Sequence, residues 1–133
     1  MITLDTNVIV RFFERDHPTQ HALSHQLIDT LSEENQGFIP RECVIELAWV
    51  LTRRYQYSRK QLSRVIRALV ARRELLVENS RRVNWAAYHC EHSGHDFADL
   101  MILGAARDRG AIPVKTFDKR FDQHDQVSLM RPH

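Results

Sequence analysis

Short apolar segments alternate along this chain with longer segments of helical periodicity, and this alternation constrains the fold most strongly. The short segments predict strands at residues 2–4, 37–39, 75–77 and 112–116, with a further short strand at 127–130. The longer segments predict helices at residues 7–13, 18–31, 42–55, 59–73, 80–92 and 97–109. Because strands that are separated by helices build βαβ units, the sequence predicts an α/β fold with a short-stranded central parallel sheet flanked by helices on both faces.

Residues at the helix ends support these limits. Pro18 suits a first helical turn, and Ser58 and Asp96 are good N-caps for the helices that follow them. Gly110 is a typical C-terminal stop for the helix 97–109. The helix 42–55 has an almost wholly apolar middle, so we expect it to be well buried.

Length and composition fit one domain over residues 1–133. The 133 residues are 43% hydrophobic and 27% charged, with four glycines and four prolines, which excludes a disordered or linker-rich chain. The longest nearly apolar segments, 43–51 and 97–106, each contain an acid and are about half a membrane span. Cys43 and Cys90 are far apart, which disfavours a zinc ribbon or a disulfide framework. We expect a soluble cytoplasmic protein with no signal peptide and no membrane partner.

Positive charge is concentrated between residues 47 and 73, although the net charge of the chain is only +2. This segment contains eight Arg or Lys residues and no Asp or Glu. Arginine binds phosphate through two parallel hydrogen bonds, so the segment is a candidate RNA-binding surface, although a solvated helix face explains it equally well. The candidate RNA contacts are Arg53, Arg54, Arg59 and Arg64.

Five acidic residues lie at strand ends, at a helix start or within an apolar segment. Asp5 ends the first predicted strand, and Asp118 follows the fourth. Asp96 and Asp99 are three residues apart at the start of the last helix. Glu46 is the only polar residue of its apolar helical segment. Each acid has an ordinary structural alternative, as a helix cap, a solvent-exposed stripe, a partner of the helix dipole or a turn residue.

The acids become informative together, because all of them map to the same edge of the predicted sheet. Clustered carboxylates repel one another, and hard oxygen ligands of this kind bind Mg²⁺ or Mn²⁺. A metal site with arginine near it suits phosphodiester hydrolysis, in which the metal activates a water molecule and offsets charge on the phosphate.

Four segments together resemble PIN-domain nucleases. They are Leu-Asp-Thr-Asn-Val-Ile-Val at 4–10, Val-Ile-Glu-Leu-Ala-Trp-Val-Leu at 44–51, Asp-Phe-Ala-Asp-Leu-Met-Ile at 96–102 and Thr-Phe-Asp-Lys-Arg-Phe at 116–121. They occur in the expected order over essentially the whole chain. The short length and the wording of the motifs most resemble VapC-type toxins of bacterial toxin–antitoxin pairs.

The resemblance implies a three-layer fold with helices around a central parallel sheet, and an acidic pocket for Mg²⁺ or Mn²⁺. Glu42 is a less favoured alternative to Glu46, one helical turn earlier. The implied catalytic and metal-binding residues are Asp5, Glu46, Asp99 and Asp118, with Asp96 as a further metal ligand and with Asn7 and Thr116 as supporting residues.

The resemblance also implies endoribonuclease activity on structured RNA, often transfer or ribosomal RNA. It implies a homodimer or a hetero-oligomer with a cognate VapB-type antitoxin that lays a C-terminal segment across the active site. Phe12, Phe13 and Trp49 fit an apolar clamp for that segment, but core packing is the favoured role for them.

Histidines and two further aromatic residues have less specific interpretations. The series His17, His21 and His25 has a spacing that zinc sites use, but a solvated, partner-facing or charge-tuning stripe is favoured. A phosphate contact or a general acid among residues 89, 92 and 95 is disfavoured. Trp85 and Tyr88 are predicted to be core aromatics.

Two other classes of protein compete with the nuclease. A receiver-type signalling domain also has an acidic Mg²⁺ pocket, and Lys115 would be its lysine after a late strand. That class needs a phospho-accepting aspartate in the middle of the chain, and this sequence has no Asp between Asp29 and Asp96. A non-catalytic RNA-binding or scaffold module would use the arginine-rich helices, but the intact set of acids argues against it.

Overall fold

The computed structural model describes residues 1–132 and confirms the predicted α/β fold. The helices are α1 (Thr6–Phe13), α2 (Pro18–Asp29), α3 (Arg41–Arg53), α4 (Arg59–Ala71), α5 (Ser80–Ser93) and α6 (Phe97–Arg109). The strands are β1 (Ile2–Thr3), β2 (Gly37–Ile39), β3 (Leu75–Val77), β4 (Val114–Thr116) and β5 (Val127–Leu129), and a 3-10 turn covers Phe121–Gln123. The limits of β2, β3 and α6 coincide with the predicted ones.

All strand pairings are parallel, as predicted, but they form two sheets instead of one. The first sheet has the order β1-β2-β3, and β4 pairs only with β5. Strand β1 has two residues, whose register with β2 is Ile2 to Gly37 and Thr3 to Phe38. So short a strand offers few ladder hydrogen bonds to a second neighbour, whereas β4 aligns three residues with β5. The predicted single sheet is therefore divided into two hydrogen-bonded parts.

Gly37 is required where β2 passes the core. A Cβ atom at this position would lie 2.8 Å from Cδ1 of Leu31 and 3.0 Å from Cδ1 of Leu4. Real Cβ contacts are essentially never so short, so any larger residue would displace buried leucine atoms at the centre of the first sheet. The close approach lets Leu4 bring β1 and the start of α1 against the core.

The predicted helix ends are confirmed at Ser58 and Gly110. The hydroxyl of Ser58 accepts a hydrogen bond from the amide of Gln61 at 3.1 Å, and the Gln61 side chain accepts one from the amide of Ser58 at 2.8 Å. Gly110 ends α6 at φ 68°, in the left-handed region that favours glycine. Asp96 precedes α6, but its side chain makes no cap hydrogen bond, because it pairs with Arg59 instead.

One hydrophobic core joins the first sheet to the helices. Leu47 and Leu51 of α3, Ile66 of α4 and Leu103 of α6 are among its buried members. The prediction that α3 is well buried is correct for only one of its faces, because Trp49 on the other face is 62% exposed. Among residues 1–132, no helix has the length and apolar character needed to cross a bilayer.

The core role predicted for the aromatic residues is confirmed for three of them. Phe12, Phe13 and Trp85 are partly buried and pack against the core. It is wrong for Trp49 and for Tyr88, which is 47% exposed, because both lie on the solvent side of their helices. Apolar character alone did not reveal which face each residue occupies.

Two of the three histidines of the stripe, His21 and His25, have a structural role, whereas His17 is exposed. The ring nitrogens of His21 and His25 donate to the carbonyl oxygens of Arg11 at 2.8 Å and Phe12 at 3.0 Å. These carbonyls belong to the last turn of α1, where no helical donor is available. The two histidines therefore bind α2 to the end of α1, which corrects the expected solvated or partner-facing role.

Candidate active site

An exposed stripe of α3 forms one wall of a groove of about 550 Å³. Glu42, Glu46, Trp49 and Arg53 follow one another at helical spacing and all line this groove. The apolar part of the lining comes from four elements: Ile45 and Ala48 of α3, Leu62 of α4, Cys90 of α5, and Phe97 and Ala98 of α6. Glu46 thus escapes burial on the solvent side of α3, next to an apolar surface.

Arg59 and Asp96 form the opposite rim of the groove. An Nη atom of Arg59 donates to Oδ1 of Asp96 at 2.7 Å, and its other Nη atom donates to the carbonyl oxygen of Gly94. Arg59 was predicted as an RNA contact, but its guanidinium is already engaged with the segment before α6. Its geometry suits holding the Asp96 carboxylate in place.

Asp99, in the first turn of α6, is the most perturbed acid of the candidate set. Its side chain is half-buried, and burial raises its pKa above the usual value for an aspartate. The negative charges of Asp96 and Asp118 raise the pKa further, while His95 and Arg59 oppose them. The structure therefore brings Asp96 and Asp118 close enough to act on Asp99.

Asp118 lies in a fixed turn directly after β4. The Thr116 hydroxyl accepts a hydrogen bond from the amide of Asp118 at 3.0 Å. Oδ1 of Asp118 accepts one from the amide of Arg120 at 2.8 Å and a longer one from the amide of Phe121 at 3.5 Å. The Asp118 side chain is exposed, so it stabilises the turn and is also accessible to solvent.

Asp5 and Asn7 lie at the start of α1. Asp5 is the N-cap of α1, and its Oδ1 accepts a hydrogen bond from the amide of Thr6 at 2.8 Å. Asn7 is exposed in the first turn of the same helix. Neither Asp5 nor Glu46 is among the charges that act on Asp99. The structure thus brings two of the other four candidate acids, Asp96 and Asp118, close enough to act on Asp99, and it places Glu46 with Asp96 on one groove.

The donor chemistry of this set fits a hard divalent cation. Among residues 1–132, no three His, Cys, Asp or Glu side chains are already arranged as a metal site. The candidate ligands are all carboxylates, the donors that Mg²⁺ and Mn²⁺ prefer. Like charges already oppose ionisation of Asp99, and a cation is the usual relief for such repulsion.

Two of the four candidate arginines, Arg53 and Arg59, line the groove. Arg53 lines the groove, with its guanidinium carbon 5.9 Å from the centre of the Trp49 ring. Arg54 lies away from the groove lining, 3.9 Å from the carboxylate of Asp16. Arg64 is exposed on α4.

His95 and Trp49 were both considered from the sequence, but neither was placed at the candidate site. His95 is half-buried beside Asp99, and its ring centre lies 5.6 Å from that of His124. Trp49 lines the groove, although it was assigned to the core. The signal for Trp49 was its spacing of three and four residues from Glu46 and Arg53, which places all three on one helix face.

Comparison with known proteins identifies the family of the chain. The sequence matches the PIN domain family over residues 2–127, nearly the whole chain. No curated protein matches it at a significant level. PIN domains are in general nucleases, so the match excludes the receiver-type alternative. The chain therefore belongs to the PIN domain family.

Proposed function

We propose that this protein is an Mg²⁺- or Mn²⁺-dependent endoribonuclease, with residues 1–133 acting as one domain. The observation that carries the proposal is the half-buried Asp99, on which the charges of Asp96 and Asp118 act, in a chain of a nuclease family. Perturbed acids in such clusters are typical of catalytic sites. The proposed reaction is hydrolysis of an RNA phosphodiester bond by water.

The proposed metal ligands are Asp5, Glu46, Asp96, Asp99 and Asp118. A bound divalent cation supplies an activated water and neutralises charge on the phosphate. Arg59 positions Asp96 through its 2.7 Å hydrogen bond, and the turn after Thr116 positions Asp118. Asn7 is proposed to support Asp5 at the start of α1.

RNA contacts are proposed for Arg53 and Arg64. Arg53 lies on the groove that also contains Glu46 and Asp96, so it is suited to hold a phosphate beside the acids. Arg64 is exposed on the same arginine-rich helix as Arg59. The engagement of Arg59 with Asp96 and of Arg54 with Asp16 makes these two weaker candidates for direct contact.

We further propose that the protein is the toxin of a toxin–antitoxin pair, acting in the cytoplasm on transfer or ribosomal RNA. The support is the resemblance of four ordered motifs to VapC-type toxins. A homodimer and a VapB-type antitoxin are the proposed partners. The apolar groove around Trp49 favours a protein contact there, whereas Phe12 and Phe13 are used in the core. Growth arrest on expression, relieved by the gene beside it, would test this role.

The nuclease proposal is tested with purified, antitoxin-free protein and total bacterial RNA. We expect discrete cleavage products with Mg²⁺ or Mn²⁺, none with EDTA, and none with Asp99→Asn. Asp29→Asn is the control for the loss of one helical aspartate charge, because Asp29 is exposed at the end of α2 and is not one of the candidate acids. Binding of RNA without metal-dependent turnover would instead identify a non-catalytic RNA-binding module.

A further inference from the structure

Phe117 is the most exposed large hydrophobic side chain among residues 1–132, at 79%. It lies between Thr116 and Asp118, in the turn that presents a candidate metal ligand. Phe121, four residues later, is 4% exposed and supplies the core contact of this turn. Packing of the turn therefore does not explain an aromatic ring at position 117.

The backbone around Phe117 is held on both sides. The carbonyl oxygen of Thr116 accepts a hydrogen bond from the amide of Met130 at 2.7 Å, and the Thr116 hydroxyl accepts one from the amide of Asp118. Oδ1 of Asp118 in turn accepts from the amide of Arg120. The turn thus exposes the Phe117 ring to solvent on a backbone that is held in place. A fixed backbone lowers the entropy cost when a ligand binds against the ring.

Two basic side chains and one acid line the depression beside Phe117. This open depression of about 620 Å³ is lined by Phe117, Lys119, Met130 and Arg131, with Asp122 as its acid. The carboxylate of Asp122 is partly used, since it accepts a hydrogen bond from the amide of Leu129 at 2.9 Å. Proteins that bind single-stranded nucleic acid commonly combine an exposed aromatic ring, on which a base stacks, with basic side chains that contact the phosphates.

We propose that Phe117 is a stacking platform for one unpaired nucleobase of the RNA, with Lys119 and Arg131 contacting the adjoining phosphates. This inference rests on the proposed nuclease function. Phe117 directly precedes Asp118, a proposed metal ligand, and adjacent Cα atoms are about 3.8 Å apart, so we expect a base on Phe117 to belong to a nucleotide close to the phosphate that the proposed metal contacts. A base in a duplex has both faces covered, so the platform selects single-stranded or looped RNA at the cleavage position.

The test measures RNA binding in an Asp99→Asn background, so that binding is read independently of turnover. The probe is a fluorescein-labelled oligoadenylate of about 12 nucleotides, alone or paired with oligouridylate, followed by fluorescence anisotropy. Phe117→Leu keeps an apolar side chain without a ring face, and Phe117→Trp keeps the ring face. Leu23→Ala, at another exposed apolar position, is the control for general surface effects.

We expect Phe117→Leu to weaken binding of the single strand by about 5- to 150-fold, the range measured for loss of one stacked base. Phe117→Trp and Leu23→Ala should bind as the parent does, and duplex binding should not respond to Phe117→Leu. Equal loss in the Leu and Trp variants would overturn the platform, because the ring face would then not matter.

Unchanged single-strand binding by Phe117→Leu would also overturn the stacking role of Phe117 and would favour a contact with a protein partner instead. Failure of the parent to bind oligoadenylate would exclude sequence-tolerant stacking. A failure of the proposed nuclease function would give a different result. Phe117→Leu would still weaken single-strand binding, but the protein with its native Asp99 would show no metal-dependent cleavage.

Discussion

Replacing Asp118 by alanine and by asparagine separates its turn role from its proposed catalytic role. Oδ1 of Asp118 accepts one short hydrogen bond, from the amide of Arg120 at 2.8 Å, and one at the distance limit, from the amide of Phe121 at 3.5 Å. Asparagine keeps an oxygen acceptor in the same position, whereas alanine removes it. Removing a side chain that accepts such backbone bonds costs about 0.5–2 kcal/mol.

We therefore expect Asp118→Ala to lower the free energy of unfolding by about 1 kcal/mol and Asp118→Asn by less than about 0.5 kcal/mol. For a chain of 133 residues, 1 kcal/mol corresponds to a fall in Tm of about 3–4 °C. Urea unfolding followed by circular dichroism measures the first quantity, and thermal unfolding checks the second. Both variants should lose RNA cleavage, because both lose the charged metal ligand. Equal destabilisation by the two variants would refute the turn assignment, and cleavage by Asp118→Asn at the normal rate would refute the catalytic one.

Three further predictions concern stability. Ser63 is fully buried, and its hydroxyl has no hydrogen-bond partner among residues 1–132. Ser63→Ala should therefore raise the free energy of unfolding by about 1 kcal/mol in urea denaturation. A lower free energy of unfolding in this variant would contradict the absence of a partner for the hydroxyl. The hydrogen bond from the Tyr55 hydroxyl lowers the pKa of Asp16 and therefore stabilises the folded protein while Asp16 is ionised. This stabilisation is present above the ordinary aspartate pKa of 3.8 and is lost as the pH falls through the lowered pKa of Asp16. The stability difference between the native protein and Tyr55→Phe should therefore shrink in acid, and a difference that grows there would contradict the assignment. Trp49→Ala should cost less than about 1 kcal/mol, because Trp49 is exposed, whereas a core tryptophan costs about 3–5 kcal/mol in the same assay.

Much of the local structure was predictable because its signals are local. Ser58 and Gly110 mark helix ends through contacts within one turn, so the sequence alone located them. The limits of the short segments 37–39 and 75–77 were predicted correctly, since Gln36 and Pro40 bound the first and Glu74 and Glu78 bound the second. Periodicity and capping therefore identified the elements and their parallel arrangement.

The pairing of strands and the orientation of single side chains were not predictable in the same way. The separation of β4 and β5 from the first sheet depends on contacts between distant segments, which periodicity does not encode. Trp49 is apolar, so composition favoured the core, but its helical phase with Glu46 places it on the groove. His21 and His25 bind carbonyls of α1 that only the packing of α2 brings within reach.

The sequence predicted which residues belong to the candidate site, and the structure adds which of them interact with one another. Asp96, Asp99 and Asp118 interact electrostatically, whereas Asp5 acts as a helix cap at another strand end. Arg59, a predicted RNA contact, pairs with Asp96. An ion pair of this kind depends on the path of the chain between α4 and α6, which the charge pattern did not contain.

The central claim is that the carboxylates around Asp99 hold a divalent cation. Isothermal titration of Mn²⁺ into the purified protein, with Asp99→Asn and the Asp29→Asn control, tests it most directly. We expect saturable binding by the native protein and by Asp29→Asn, and an affinity at least about tenfold weaker for Asp99→Asn, since one of the few charged ligands is lost. Equal Mn²⁺ affinity in all three proteins would contradict the assignment of the metal to this cluster.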